Sequence, residues 1–345
     1  MKKLHVHVVY EHGPDLKPFG IAHIRDILPL SHPTNADAFE VTYSTDYARA
    51  DVVIVERMWK PGVTVEQAAQ IAQKVRQDKA VLIYSIDDNL LDLAGIPTEA
   101  RMVVRYFCRA ADAILVSTEY LHQRLKHLNP QIFVLPNAVD EQLFMQTGAP
   151  LQPGRNTTKS QVIGFMGTLT HDADLMMALQ ALRKTLRKHI GRLELQLIGA
   201  VSNHTVIAAF QGLPVRLLQI EPKDVAYLNF VPWMKKNLLW DIGIAPLENT
   251  RFTRGKSDIK FLDYSALGIP GIYSRVPCYE PTVKHLENGA LVDNTPAAWT
   301  EALEMLLEDH KLRMQLASAA QDYVFSTRTL QHCAKGWREA ILSLV

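Results

Sequence analysis

At 345 residues, with 48% hydrophobic and 21% charged side chains, the chain is long for one hydrophobic core and comfortable for two domains. A net charge of +1 excludes a general attraction to nucleic acid, so any cationic function is local and no nucleic-acid partner is expected. The cysteines Cys108, Cys278 and Cys333 are far apart and in no metal-ligand spacing, and they read as free packing thiols in a reducing compartment.

The N-terminus carries two lysines and then alternates apolar residues with histidine, which predicts a first strand over 4–10 rather than a signal peptide. No run approaches about 18 apolar residues, and a cytoplasmic location is expected. The strand runs into a loop of Glu11, His12 and Gly13, where the glycine permits close approach of a ligand. Residues 19–30 have helical periodicity that Pro29 is expected to end, and His23 and Arg25 near its start are candidates for lining a cleft.

Two continuous apolar runs, 51–56 and 80–85, flank a helical stretch from Val65 to Gln77. That alternation predicts a parallel sheet covered on both faces. Asp87 and Asp88 follow the second run, at a strand's carboxyl end where open α/β sheets carry their ligand-facing loops. Adjacent carboxylates there read first as helix-capping or loop-bonding groups, and a metal is not expected. From Thr98 to Ala111, Arg101, Arg105 and Arg109 stand four apart on one helical face beside Met102 and Tyr106. Such a stripe suits an anionic membrane surface, although a solvated helix face is the reading such a pattern favours.

A further strand at 113–118 leads into a helix capped by Thr118, and 132–140 closes the first series. Residues 148–160 are rich in Gly, Pro, Thr and charge without periodicity, which predicts a linker. The second series opens with a strand, the glycine turn Gly164 to Gly167 followed by Thr168, and a long amphipathic helix from His171 through Lys188. Strand-then-glycine recurs at 193–199 and 239–247, and helices are predicted at 295–307, 311–325 and 330–344.

The densest signature is 251–274. Arg254, Gly255 and Lys256 form a cationic loop, Ser257 stands where a helix N-cap belongs, and Gly268 and Pro270 end that helix before a short buried strand. A helix N-terminus facing Arg254 and Lys256 is an anion site by construction, with a diphosphate as its natural occupant, although the same loop also reads as a solvated surface.

This segment resembles the donor-binding segment of GT4-like (group 1) glycosyltransferases of the GT-B fold, in which K-S-x-x-K-x-x-E-Y-x-A-x-G-x-P precedes a strand. The run 134–140 resembles the V-x-P-N-G-V-D that closes the first domain of such proteins, with Ala138 in place of glycine. The resemblance implies an α/β, GT-B fold: residues 1–147 as a Rossmann-like acceptor domain, 148–160 as linker, 161–327 as a Rossmann-like donor domain, and 328–345 as a terminal helix returning to the first, with the two domains facing across a cleft. It implies transfer of a sugar, with retention, from a nucleotide-diphosphate sugar to a glycan or lipid-linked acceptor. No metal and no cofactor are expected, the nucleotide-sugar being a substrate, and a peripheral contact with an anionic membrane surface accompanies a lipid-linked acceptor.

Lys256, Arg254, His12, Asp87 and Asp88 are then the catalytic candidates, Gly167, Thr168, Ser257, Lys260 and Asp263 the donor-binding ones, and His23 and Arg25 the acceptor ones, with Asp263 on the ribose. Two departures stand out. Residues 168–175 lack the Arg and Lys that grip the diphosphate in many members, and Gly255 stands where those members carry a sugar-contacting Glu, eight residues before the ribose acid. A catalytically silent sugar-nucleotide binding protein therefore stays open. A Rossmann oxidoreductase is disfavoured, because neither glycine turn has the G-x-G-x-x-G spacing that a dinucleotide pyrophosphate requires.

Overall fold

The computed structural model describes residues 3–145, 152–154, 160–167, 171–199 and 204–345. Most of the expected linker 148–160, and Thr168, lie outside the described residues. The chain divides into two compact units: Met1–Asp140 with Thr250–Ser257 and Thr327–Val345, and Glu141–Asn249 with Asp258–Ser326.

In the first unit, β1 (Leu4–Val9), β2 (Phe39–Ser44), β3 (Val52–Glu56), β4 (Val81–Ile86), β5 (Ala113–Val116) and β6 (Ile132–Val134) form a parallel sheet in the order β2-β1-β3-β4-β5-β6. The apolar runs occupy its centre, where Val52 to Val55 are fully buried. Helices Val65–Gln77 and Thr98–Ala110 cover one face through Ala72, Val75, Val103 and Phe107. A Thr64–Gln67 capping box starts the first of them. The other face packs Val6, Val8 and Ile54 against Trp337 and Ile341 of the C-terminal helix Leu330–Leu342.

Pro29 does not end its helix. The backbone is helical from Gly20 to Ser31, with a π-turn over His23–Ile27, and Pro29 lies inside its last segment, Leu28–Ser31. Proline has no N–H to offer the carbonyl four residues back, which is that of Arg25. The Trp337 indole fills that place, donating from Nε1 to Arg25 O at 2.7 Å.

In the second unit, β7 (Gln161–Met166), β8 (Leu193–Ile198), β9 (Val215–Leu218), β10 (Ile242–Ala245), β11 (Gly271–Ser274) and β12 (Ala290–Val292) form a second parallel sheet, ordered β12-β11-β10-β7-β8-β9. Its core joins Ile163, Phe165, Leu195 and Ile244 to Leu182 of helix Asp172–Lys188 and Trp299 of helix Pro296–Glu308. Each unit is therefore Rossmann-like, with its loops of interest at the carboxyl ends of parallel strands. No helix among the described residues is long and apolar enough to cross a membrane.

Candidate functional site

The carboxyl edge of the first sheet gathers charge. Arg57, just past β3, is held with a positive φ of 45° while its N–H donates to Ser85 O at 2.9 Å. Its guanidinium faces Glu11 at 3.2 Å, Asp87 at 3.5 Å and Asp88 at 3.5 Å. Burial opposes the Arg57 charge, but Asp87, Glu11 and Asp88 overcome it and hold the guanidinium protonated well above its ordinary range. Asp87 and Asp88 thus form an ion-pair centre rather than a helix cap. Burial, and then Asp88, push the Asp87 carboxyl up against the pull of Arg57, Arg25 and Lys256. Burial likewise raises Glu11 and Glu56, and lifts Asp26 to about 7. His12 sits beside this centre, with Nδ1 2.8 Å from Gly13 O.

His23 and Arg25 are turned inward. Burial lowers the His23 pKa. Arg25 is 1% exposed, donates to Leu135 O and, at 2.9 Å, to Asn137 Oδ1, and lies over the Trp337 ring at 5.4 Å. A guanidinium so enclosed locks the helix to the closing loop 134–140 and cannot present itself to an acceptor, so Arg25 is corrected from acceptor residue to structural cross-link.

The signature segment splits between the units after Ser257. Its loop stays with the first: Lys256 Nζ lies 3.5 Å from Asp88 Oδ1 and 4.8 Å from the Phe252 ring centroid, and Asn89 donates to Arg251 O at 2.8 Å. Arg254 is exposed, in the short turn Thr253–Gly255. Ser257 is not the N-cap. That position is Asp258, before helix Ile259–Ala266, and the Ser257 hydroxyl instead accepts from Asn137 Nδ2 at 2.8 Å. The elements of the expected anion site thus fall on either side of the unit boundary, Arg254 and Lys256 in the first unit and the helix Ile259–Ala266 in the second. Gly255 is closed to the glutamate of the resemblance, because a Cβ there would meet Asn89 Cβ at 2.9 Å and Leu121 Cδ2 at 3.2 Å.

In the second unit, helix Ile259–Ala266 buries Lys260 and Asp263 one turn apart. Lys260 Nζ lies 3.2 Å from His171 Nε2, whose Nδ1 lies 2.7 Å from Asp174 Oδ2. Asp263 is 8% exposed and its Oδ1 has no hydrogen-bond partner. Burial raises its carboxyl to about 7, against the pull of Lys260. Gly167 directly follows β7 and lies against His171, where an added Cβ would stand 3.1 Å from His171 Cβ, closer than ordinary contact. Arg57, Glu56, His171 and Asp174 were not singled out from sequence, though a charged pair directly after an apolar strand and a His and Asp three apart after a glycine turn were the available signals.

The arginine stripe is reduced. Arg101 is half-buried and donates to Leu93 O at 3.1 Å, while Arg105 and Arg109 join Arg76, Met102 and Tyr106 around a surface groove of about 620 Å³. No group of three or more His, Cys, Asp or Glu among the described residues is arranged to hold a metal ion.

Residues 160–309 match the family model Glycosyl transferases group 1. No curated protein matches the chain. Among solved structures, sucrose-phosphate synthase from Thermosynechococcus elongatus superposes with a TM-score of 0.71 at 14% identity, covering 99% of both chains. Anabaena HepE in complex with UDP and glucose gives 0.68 at 12% identity, covering 99% of this chain and 100% of that one. A Staphylococcus aureus TarM variant with fondaparinux, alpha-GlcNAc-glycerol and UDP gives 0.62 at 12% identity, covering 84% of this chain and 55% of that one. The chain thus has the α/β, GT-B fold, and its residues 160–309 are similar to the group 1 glycosyl transferases.

Proposed function

We propose that the protein transfers a sugar, with retention and without a metal, from a nucleotide-diphosphate sugar to a glycan or lipid-linked acceptor, in the synthesis of cell-surface polysaccharide or glycoconjugate. The observation that carries the reading is the buried Lys260 and Asp263 pair, inside the segment that matches the group 1 model, with an unsatisfied carboxylate oxygen one turn from an ammonium. A carboxylate accepts from a ribose diol and an ammonium donates to a diphosphate. The UDP in the HepE and TarM complexes supports the same class of donor.

Breaking the anomeric bond develops negative charge on the leaving diphosphate, so fixed cations and N–H donors are the main requirement, and no protein nucleophile is needed. Lys260 supplies one such cation, with Lys256 and Arg254 as further candidates. The Arg57 centre with Asp87, Asp88 and His12 is the candidate surface for orienting an acceptor hydroxyl. Arg76, Arg105 and Arg109 with Met102 provide the cationic, partly apolar groove that a membrane-borne acceptor would favour at the inner face of an anionic membrane.

A thermal-shift panel of UDP-, GDP-, ADP- and CMP-sugars, followed by transfer assays with and without chelator, tests the reading. Stabilisation by one class of donor and chelator-resistant turnover are expected. A chain that no donor stabilises refutes it, and one that binds but never turns over is the silent binding protein.

A further inference from the structure

Resting on the donor reading above, we infer that His171 is a positioning residue for the donor diphosphate: it fixes the direction of the Lys260 ammonium beside the Gly167 turn, in place of the cationic pair absent from 168–175. The chain of contacts lies wholly within the second unit. Asp174 is held by a backbone donor, Glu248 N to Oδ1 at 2.7 Å, which directs its Oδ2 toward His171 Nδ1, 2.7 Å away. An imidazole that donates through Nδ1 presents a lone pair at Nε2, and Lys260 Nζ donates to it at 3.2 Å. Asp174 thus selects the tautomer, and His171 aims the ammonium.

All of these side chains are buried, His171 at 7%, Asp174 at 4% and Lys260 at 9% exposure, so the arrangement is not a solvated surface. A lysine is buried at a cost unless it is paired, and here the His171 ring accepts from it while its charge draws the Asp263 carboxyl, one turn on, toward ionisation against burial. The independent sign of a ligand is Asp263 Oδ1, buried without a hydrogen-bond partner. An aimed ammonium and an acceptor seeking donors, neighbours on one helix face, match the phosphate and diol ends of a nucleoside diphosphate.

Gly167 gains a specific reason. A Cβ there would stand 3.1 Å from His171 Cβ and 3.3 Å from Cδ2, so the bare backbone is what seats the ring. This also explains how the segment after the glycine turn dispenses with the usual Arg and Lys: the cation arrives from helix Ile259–Ala266, and residue 171 orients it.

Calorimetry with UDP, GDP, ADP and CDP, and with the matching nucleosides, tests the assignment on the parent, His171→Leu and His171→Gln. Leucine removes both ring nitrogens, whereas a glutamine amide keeps one donor for Asp174 and one acceptor for Lys260. We expect His171→Leu to weaken nucleoside diphosphate binding about tenfold and to leave nucleoside binding unchanged, and His171→Gln to recover most of the loss. A parent that binds none of the four diphosphates overturns the donor reading and this inference with it. A parent that binds one, with His171→Leu binding it equally well, overturns this inference alone. Equal losses for nucleoside and diphosphate do the same, marking His171 as a packing residue. Should His171→Leu fail to fold by its thermal melt, Lys260→Met takes its place: it is expected to lose the diphosphate increment that His171→Gln keeps, and retention of that increment overturns the assignment.

Discussion

Asp263 offers a perturbation whose sign and size follow from its surroundings. Its carboxyl is raised from 3.8 to about 7, burial being the larger cause and Lys260 the opposing one. The folded protein therefore holds a proton on this group between those values, where the unfolded chain has released it. Because the native state binds more protons there, stability falls as pH rises from about 4 to about 7 and is level above that. The full separation corresponds to about 4 kcal/mol, of which about 3 kcal/mol develops between pH 5 and pH 8. Asp263→Asn removes the titration while keeping the shape, so it should be more stable than the parent at pH 8, with that advantage shrinking by about 3 kcal/mol at pH 5. Nucleotide affinity should move the other way, falling roughly tenfold, about 1.5 kcal/mol, as the strong acceptor of a diol is lost. Urea unfolding at both pH values and calorimetry with the nucleoside diphosphate measure the two effects. A stability difference between parent and variant that does not change with pH would show that Asp263 ionises freely in the fold, and the reasoning from burial would fall.

Lys256→Ala removes the cation paired with Asp88. If Lys256 acts on the leaving group, steady-state transfer assays should show turnover lowered by about tenfold to a hundredfold with a smaller loss of donor affinity. Trp337→Phe leaves the Arg25 carbonyl without the indole donor that substitutes for Pro29, and should destabilise the fold by about 1–3 kcal/mol in thermal or urea unfolding. Reversing Arg105 and Arg109 to Glu should weaken co-sedimentation with anionic liposomes, each cation contributing about 1 kcal/mol, while Arg101→Glu is expected to act through stability instead, since Arg101 is tied to Leu93 O. Unchanged co-sedimentation in the double variant would return that face to a solvated one.

What the sequence disclosed follows the strength of its periodicities. The central strands β3, β4, β7 and β10 are continuous or near-continuous apolar runs, and parallel strands buried on both faces write themselves that way, while β1 and β8 alternate apolar with polar residues and are read from their period of two. β2 and β9 stand at sheet edges, and their sequences, Phe39–Ser44 and Val215–Leu218, mix polar with apolar residues because one side meets solvent. A search for apolar runs passes over them. Pro29 misled for a different reason. The rule that proline stops a helix assumes that the freed carbonyl finds no other donor, and here Trp337, 312 residues away, provides one. Nothing local could announce it.

The signature at 251–274 teaches a further distinction. Lys256 and Lys260 look alike in sequence, two lysines flanking a candidate cap, yet one belongs to the first unit with Asp88 and the other to the second with His171. The resemblance treats the segment as one donor motif. The contacts divide it into a loop that completes the charged edge of the first sheet and a helix whose buried face carries the ammonium and the unsatisfied carboxylate. Gly255 sits on the loop side, against Asn89 and Leu121, so the missing glutamate is a consequence of packing: that position has been closed by its own unit. On the proposed reading, the chemistry of the second unit runs through Lys260, Asp263 and the His171 in contact with the lysine. A variant that restored glutamate at 255 would accordingly be expected to lose stability through overpacking, by about 1–3 kcal/mol, without gaining turnover. Faster transfer by Gly255→Glu at unchanged stability would mean that the loop can open to accept the side chain, and the division argued here would not hold.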